Sequence, residues 1–274
     1  MQTSGLRSAV RRHRVWIAAL ALCVPGLTGC FEAKYEQRLE TAKKIYEHYD
    51  LLNQNLTGMW TSGTGIQLRV PKQFGLLAGP PPRPAPKPGE TASTAPVIDP
   101  RQPDYLPIEL PGLLGAWHAT LRVDTGEESA DRAGYLYVLS NQYRNRPAQD
   151  GKREDPAKFH EDVVKLLSNA LQKRVEDKDW VRETYPASFE YSPKVTYQAT
   201  KLIPDQPIGN TKMKFELYQN TTGGVQTVIL YVLPEGVSNL EKLNERIPLS
   251  LETLLVEGTM SGGAPARSTS GPQF

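Results

Sequence analysis

The run Val228-Ile229-Leu230-Tyr231-Val232-Leu233 carries no charged residue and no polar alternation. Successive side chains of a strand point to opposite faces, so a strand of this composition needs an apolar layer on both sides. It therefore predicts a central strand, and the rest of the chain must supply its neighbours and its covers. Lys212 to Tyr218 is the nearest partner. There Met213, Phe215 and Leu217 alternate with Lys212, Lys214 and Glu216, which predicts one dry and one wet face. Asn220-Thr221-Thr222-Gly223-Gly224 is a turn between the two strands.

Further strands follow from the same periodicity. Gly65 to Val70 alternates as a half-buried strand and stops at Pro71. His118 to Val123 and Gly134 to Leu139 read as a hairpin around the polar stretch Asp124 to Asp131. Ser188 to Tyr191 and Lys194 to Leu202 complete the set.

Helices are marked by a period near four and by their caps. Asp155 can cap a helix with Pro156 at its first position, acids Glu161 and Asp162 near the positive end of the dipole, and Lys173-Arg174 at the other. Phe159, Val163, Leu166, Leu167, Ala170 and Leu171 make its apolar stripe. Ser238 and Glu241 form a capping box ahead of Leu240, Leu243 and Ile247, and Pro248 is expected to kink or restart that helix before Leu251. From Phe31 to Asn55, Tyr35, Leu39, Ala42, Tyr46 and Tyr49 recur at alternating steps of four and three. This amphipathic helix is either a spacer or short coiled coil, or a helix that packs back on its own domain.

Proline dominates from Leu76 to Pro111, with Pro80-Pro81-Pro82, Pro84, Pro86 and Pro88 nearly in alternation. Proline lacks the amide donor that a sheet ladder needs and favours extended polyproline II. Residues 78–105 are read as a long exposed loop, either a tolerated insertion or a segment for a proline-recognising partner or envelope spacer.

The N-terminus sets location. Arg7, Arg11, Arg12 and Arg14 precede a short apolar run from Val15 to Val24, broken by Pro25 and Gly26, and Leu27-Thr28-Gly29-Cys30 follows. That order is the layout of a secretory signal, and the run is shorter than the roughly 20 residues a membrane span requires. Leu27 to Cys30 resembles the lipobox of bacterial lipoproteins at every position. The resemblance implies removal of residues 1–29, a thioether-linked diacylglycerol on Cys30 and a further acyl chain on the new amino terminus. The residues around Arg11-Arg12 fit the twin-arginine route poorly, which favours general secretion. Phe31 after the cysteine is not acidic, which implies the outer membrane where the organism has one.

Removing 29 of 274 residues leaves 245, and taking four of 32 basic groups against 30 acidic ones turns a net +2 into −2. The basicity belongs to the leader, so nothing points to nucleic acid. Cys23 leaves with the signal and Cys30 takes the lipid, so no thiol is left for a disulfide, zinc or nucleophilic chemistry.

The fold class expected is α+β: after the signal peptide and amphipathic helix (30–57), a domain over 58–256 with a mainly antiparallel sheet and packed helices. A Gly, Ser, Ala and Pro-rich tail over 257–274 is read as disordered. Leu68-Arg69-Val70-Pro71 with Phe74, the Val228 to Leu233 strand and Ser250-Leu251 resemble the PsbP superfamily of α/β/α sandwiches. That likeness implies a non-catalytic adaptor or assembly role.

The remaining residues offer little chemistry. His48, His118 and His160 lie in different elements without metal-ligand spacing. His160 with Glu161 and Asp162 reads as a solvated charge cluster in an exposed first turn. Ser62-Gly63-Thr64-Gly65 precedes a strand, whereas a phosphate loop follows one. Glu127 with Glu128 and Asp177 with Asp179 fall in loops. Trp60, Trp117 and Trp180 line a saccharide or peptide groove or else belong to core and rim. No catalytic residue, metal site or cofactor motif is identified. The expectation is a lipid-anchored envelope protein that binds a protein partner without catalysis, with a cell-wall hydrolase or a small-molecule carrier as alternatives.

Overall fold

The computed structural model describes residues 25–81, 99–124, 129–145 and 154–257, with side chains from residue 34. The signal segment to residue 24, most of the proline tract, Glu127 and Glu128, and the tail beyond Glu257 lie outside the described residues, as does the side chain of Cys30. The chain forms two compact units, Met1–Gln54 and Asn55–Phe274.

The fold is α+β, with ten strands in two antiparallel sheets among the described residues. The larger sheet has seven strands in the order β3 (Gly75–Leu76), β4 (Leu113–Asp124), β5 (Ser129–Ser140), β9 (Val225–Pro234), β8 (Met213–Thr222), β7 (Val195–Leu202) and β6 (Val181–Tyr185). β9 (Val225–Pro234) holds the fourth of these places, between β5 (Ser129–Ser140) and β8 (Met213–Thr222). Its side chains divide by parity. Val228, Leu230 and Val232 enter one core, and Ile229, Tyr231 and Leu233 enter the other. The sequence expectation of a strand dry on both sides is met. Each such side chain contributes about 1.5–3 kcal/mol of burial.

One core is closed by α2 (Phe159–Leu171), which buries Phe159, Val163, Leu167 and Leu171 against Tyr137, Phe215 and Leu230. The other is closed by a three-stranded sheet, in the order β1-β2-β10, together with α3 (Leu243–Leu251). In that sheet β1 (Leu56–Thr61) pairs with β2 (Ile66–Pro71), and β2 with β10 (Leu255–Val256). Ile66, Leu68 and Val70 face the large sheet across Trp117, Leu136 and Tyr231. This second sheet was not foreseen, and neither was the strand at Leu56–Thr61.

The β8–β9 turn is tighter than expected. Thr222 already pairs with Val225, and Gly223 and Gly224 make the connection with φ of 58° and 81°, a backbone that glycine alone adopts freely. The wet face predicted for β8 is also partly closed. Glu216 is buried, held by Lys214 at 3.0 Å and Lys201 at 3.4 Å.

Asp155 caps as predicted, accepting from Ala157 N at 2.9 Å, but it opens a 3-10 turn over Pro156–Lys158 that leads into α2. The capping box at Ser238 takes a different form. Ser238 caps a 3-10 turn, Lys242 turns left-handed at φ 52°, and Glu241 accepts instead from Arg122 N at 3.1 Å. Leu240 is consequently exposed rather than aligned with Leu243 and Ile247. Pro248 lies inside α3 without ending it, since the helix runs on to Leu251.

Two further expectations are corrected. Ser188 to Tyr191 is not a strand; the alternating aromatics Phe189 and Tyr191 pair with each other at 5.5 Å in a bend. The strand lies earlier, at β6 (Val181–Tyr185), paired with β7 (Val195–Leu202). In the first unit the apolar run before Pro25 lies outside the described residues, and the helix expected from Phe31 to Asn55 starts earlier, as α1 (Pro25–Asn55). Tyr35, Leu39, Tyr46 and Tyr49 are exposed along it. At the far end of the proline tract Arg101 is held by Asp99 at 2.7 Å, and Gln102 exchanges two hydrogen bonds with Leu110.

Candidate functional site

The largest-sheet face that carries α2 is not fully covered by it. Between the outer flank of α2 and the β8–β7–β6 end of the sheet lies an open groove of about 720 Å³, lined among others by His160, Val164, Lys165, Arg174, Trp180 and Gln219. Its volume falls in the roughly 300–1,000 Å³ range of ligand sites.

Local sequence explains each wall. The α2 stripe turns Phe159, Val163 and Leu167 inward, which leaves Val164, Lys165 and Ser168 on the flank beside the groove. After Leu171, Gln172 adopts a left-handed conformation at φ 51° and ends the helix, bringing Arg174 and Val175 round to the groove mouth. A 3-10 turn over Asp177–Asp179 then delivers Trp180 at the start of β6. In that turn Glu176 N donates to Asp179 Oδ2 at 2.8 Å, so Asp177 and Asp179 belong to a capped turn.

The inner end of the groove is tied to the β8–β9 hairpin by amides. Gln226 Oε1 accepts from His160 N at 3.1 Å and Gln226 Nε2 donates to Ala157 O at 2.9 Å. Gln219 Nε2 donates to His160 O at 3.3 Å. His160 Nε2 meets Thr227 O at 3.2 Å. A carbonyl only accepts, so Nε2 carries the proton and the neutral ring is the Nε2–H tautomer. Burial pushes this imidazole down to about 4, against a smaller raising effect of the Thr227 carbonyl. It is neutral at pH 7.

The solvated cluster expected at the start of α2 is thereby corrected. His160 is half-buried against the sheet, Glu161 stays exposed at the groove, and Asp162 accepts from Arg144 Nη1 at 2.8 Å. The first turn packs across the sheet, a fact its local sequence does not carry. Arg144 is itself buried and binds Asp155 O at 2.9 Å and Glu154 Oε2 at 2.9 Å, with its guanidinium 5.3 Å from the Phe159 ring centre.

The other candidate residues are dispersed. His48 lies in α1, and His118 lies on β4 (Leu113–Asp124) with its ring 5.3 Å from Tyr135. Among the described residues, no group of three or more His, Cys, Asp or Glu is placed to hold a metal ion. Ser62 and Thr64 form the β1–β2 turn, where Ser62 Oγ accepts from Ile66 N at 3.0 Å. Trp60 and Trp117 pack edge to face at 4.9 Å, and Trp117 is core. Only Trp180 of the three tryptophans lines the groove, beside His160. Sequence reasoning missed Lys165, Arg174, Gln219 and Gln226, which carry no motif and are gathered only by the docking of α2 on the hairpin.

No family model matches the sequence, and no curated protein matches it. A solved structure from Bacteroides thetaiotaomicron VPI-5482 is similar over 72% of this chain and 47% of its own, at 10% identity and a TM-score of 0.32. The chain spans about half the length of that protein, and a likeness at this level carries no argument about function.

Proposed function

We infer that the chain is a lipid-anchored protein of the bacterial cell envelope, tethered through Cys30, whose body binds a partner protein without catalysing a reaction on it. The observation that carries this reading is the ordered series of basic leader, apolar run and Leu27-Thr28-Gly29-Cys30, with a body that packs as its own unit from Asn55. Each buried methylene of an acyl chain contributes about 0.8 kcal/mol, so two or three chains hold a protein where one holds it only briefly. Among the described residues no helix is long and apolar enough to cross a membrane. Phe31 favours the outer membrane, and the PsbP-like residues favour an adaptor role.

The groove offers a binding surface, with the exposed cations Lys165 and Arg174 beside Trp180. A carrier needs an enclosed cavity, and this groove is open.

Cross-linking and recovery of the intact protein from membranes tests the reading, with Cys30→Ser as the mislocalised control. Enrichment of one envelope complex by the wild type alone is the expected result. Recovery of the same proteins by both forms, or of none, contradicts it.

A further inference from the structure

The seven-stranded sheet ends at β6. Val181 to Tyr185 pair with β7 on one side, and among the described residues their backbone makes no hydrogen bond outside that ladder. An open strand edge is a template for another extended chain. This edge borders the groove directly, because Trp180 lines the groove and immediately precedes β6.

The register says what each face of an added strand would meet. Arg182 lies opposite Gln198, and Gln198 opposite Gln219. Directly opposed residues share a face, so Arg182 points to the same side of the sheet as the groove floor at Gln219. On that side Lys165, Arg174 and Arg182 are exposed, and none forms an ion pair among the described residues. The opposing charge is Glu161. Of the nearby acids, Glu176 pairs with Lys178 at 2.8 Å, and Asp179 accepts from the Glu176 amide. The opposite face of the edge begins with Val181, which is 56% exposed. The same face carries Glu183, opposite Tyr197, and the Glu183 carboxylate accepts from the Tyr185 hydroxyl. The groove side thus asks for anionic side chains and the other side tolerates apolar ones.

We propose that β6 and the adjoining groove bind an extended acidic peptide segment of the partner, which adds to the sheet as an eighth strand with its carboxylates toward Lys165, Arg174 and Arg182. Main-chain hydrogen bonds give such a complex its affinity, and the alternating side chains give its specificity. A second copy of this chain is the poorer occupant, since pairing β6 with itself brings the Lys165, Arg174 and Arg182 side of one copy beside the same side of the other. The proposal rests on the binding reading above and names the chemistry of its partner.

The test uses the intact protein in detergent micelles and a short fluorescent peptide alternating glutamate and valine, with a lysine–valine counterpart, followed by anisotropy. The acidic peptide is expected to bind at least about tenfold more tightly than the basic one and to weaken as salt rises. Lys165→Glu with Arg174→Glu, both exposed, reverses the preference. Methylating alternate backbone nitrogens of the peptide abolishes binding and needs no protein variant. Equal binding of the two peptides, indifference to N-methylation, binding of neither, or self-association through β6 in sedimentation overturns the proposal. Failure of the anchor reading has a different signature, since it moves the intact protein out of membranes and leaves the peptide result unchanged.

Discussion

His160 Nε2 lies 3.2 Å from the carbonyl oxygen of Thr227, a residue 67 positions further along the chain. This contact joins the first turn of α2 to the central strand, and it buries an imidazole that the unfolded chain leaves in water. The folded ring titrates at about 4, against 6.5 when exposed. The unfolded state therefore binds the extra proton first. Stability is complete above about pH 6.5 and is lost as pH falls toward 4, by roughly 3 kcal/mol at most. Denaturant unfolding between those limits measures the slope, and His160→Gln is expected to flatten it.

The opposite limb belongs to the tyrosines beneath α3. Tyr197 donates to Leu251 O at 2.6 Å, Tyr231 to Ser250 Oγ at 3.0 Å and Tyr218 to Glu216 Oε2 at 3.3 Å. Burial raises all three phenols, with the Glu216 carboxylate adding to the effect on Tyr218. Groups raised on folding contribute fully below their unfolded value near 10, and that contribution is lost progressively as pH rises from there toward the raised folded value. Phenolate absorbance is expected to show these three tyrosines ionising together with unfolding; a smooth titration of every tyrosine in folded protein would contradict their burial.

Gly115 sits against two indoles. A Cβ there would lie 2.6 Å from Trp117 Cη2 and 2.7 Å from Trp60 Cζ2. These rings already touch edge to face in the core, so Gly115→Ala forces them apart at about 1–3 kcal/mol. The expected result is a lower unfolding midpoint with shifted tryptophan emission.

Arg144 is a buried cation whose partners keep contact with water: its side chain is 4% exposed, Glu154 is 62% and Asp162 46%. Arg144→Leu strands the Asp155 carbonyl but lets both carboxylates rehydrate, so a loss of about 1–3 kcal/mol is expected. Glu154→Gln, removing only the most exposed partner, is expected to cost under about 1 kcal/mol. Equal losses would show that the pair with Glu154, rather than the burial of Arg144, holds the helix start.

Where a segment's role was written in its own periodicity, the sequence was enough. β9 needed no context, because apolar residues in both registers have one place in a sheet. α2 was legible from Asp155, Pro156 and its stripe. β6 was not, since Val181-Arg182-Glu183-Thr184-Tyr185 carries two charges and owes its strand to pairing with β7. The groove was legible only at Trp180, because His160 reads from sequence as part of an exposed charge cluster. Its charge comes from Lys165, Arg174 and Arg182, spread over an helix flank, a helix exit and an edge strand, and no spacing within the chain relates them.

The most direct measurement is metabolic labelling with an alkyne fatty acid, followed by fractionation of wild type and Cys30→Ser. The account predicts a labelled wild type in the membrane fraction and an unlabelled variant that leaves it. Equal labelling of the two forms, or an unlabelled wild type recovered away from membranes, would contradict an anchor at Cys30.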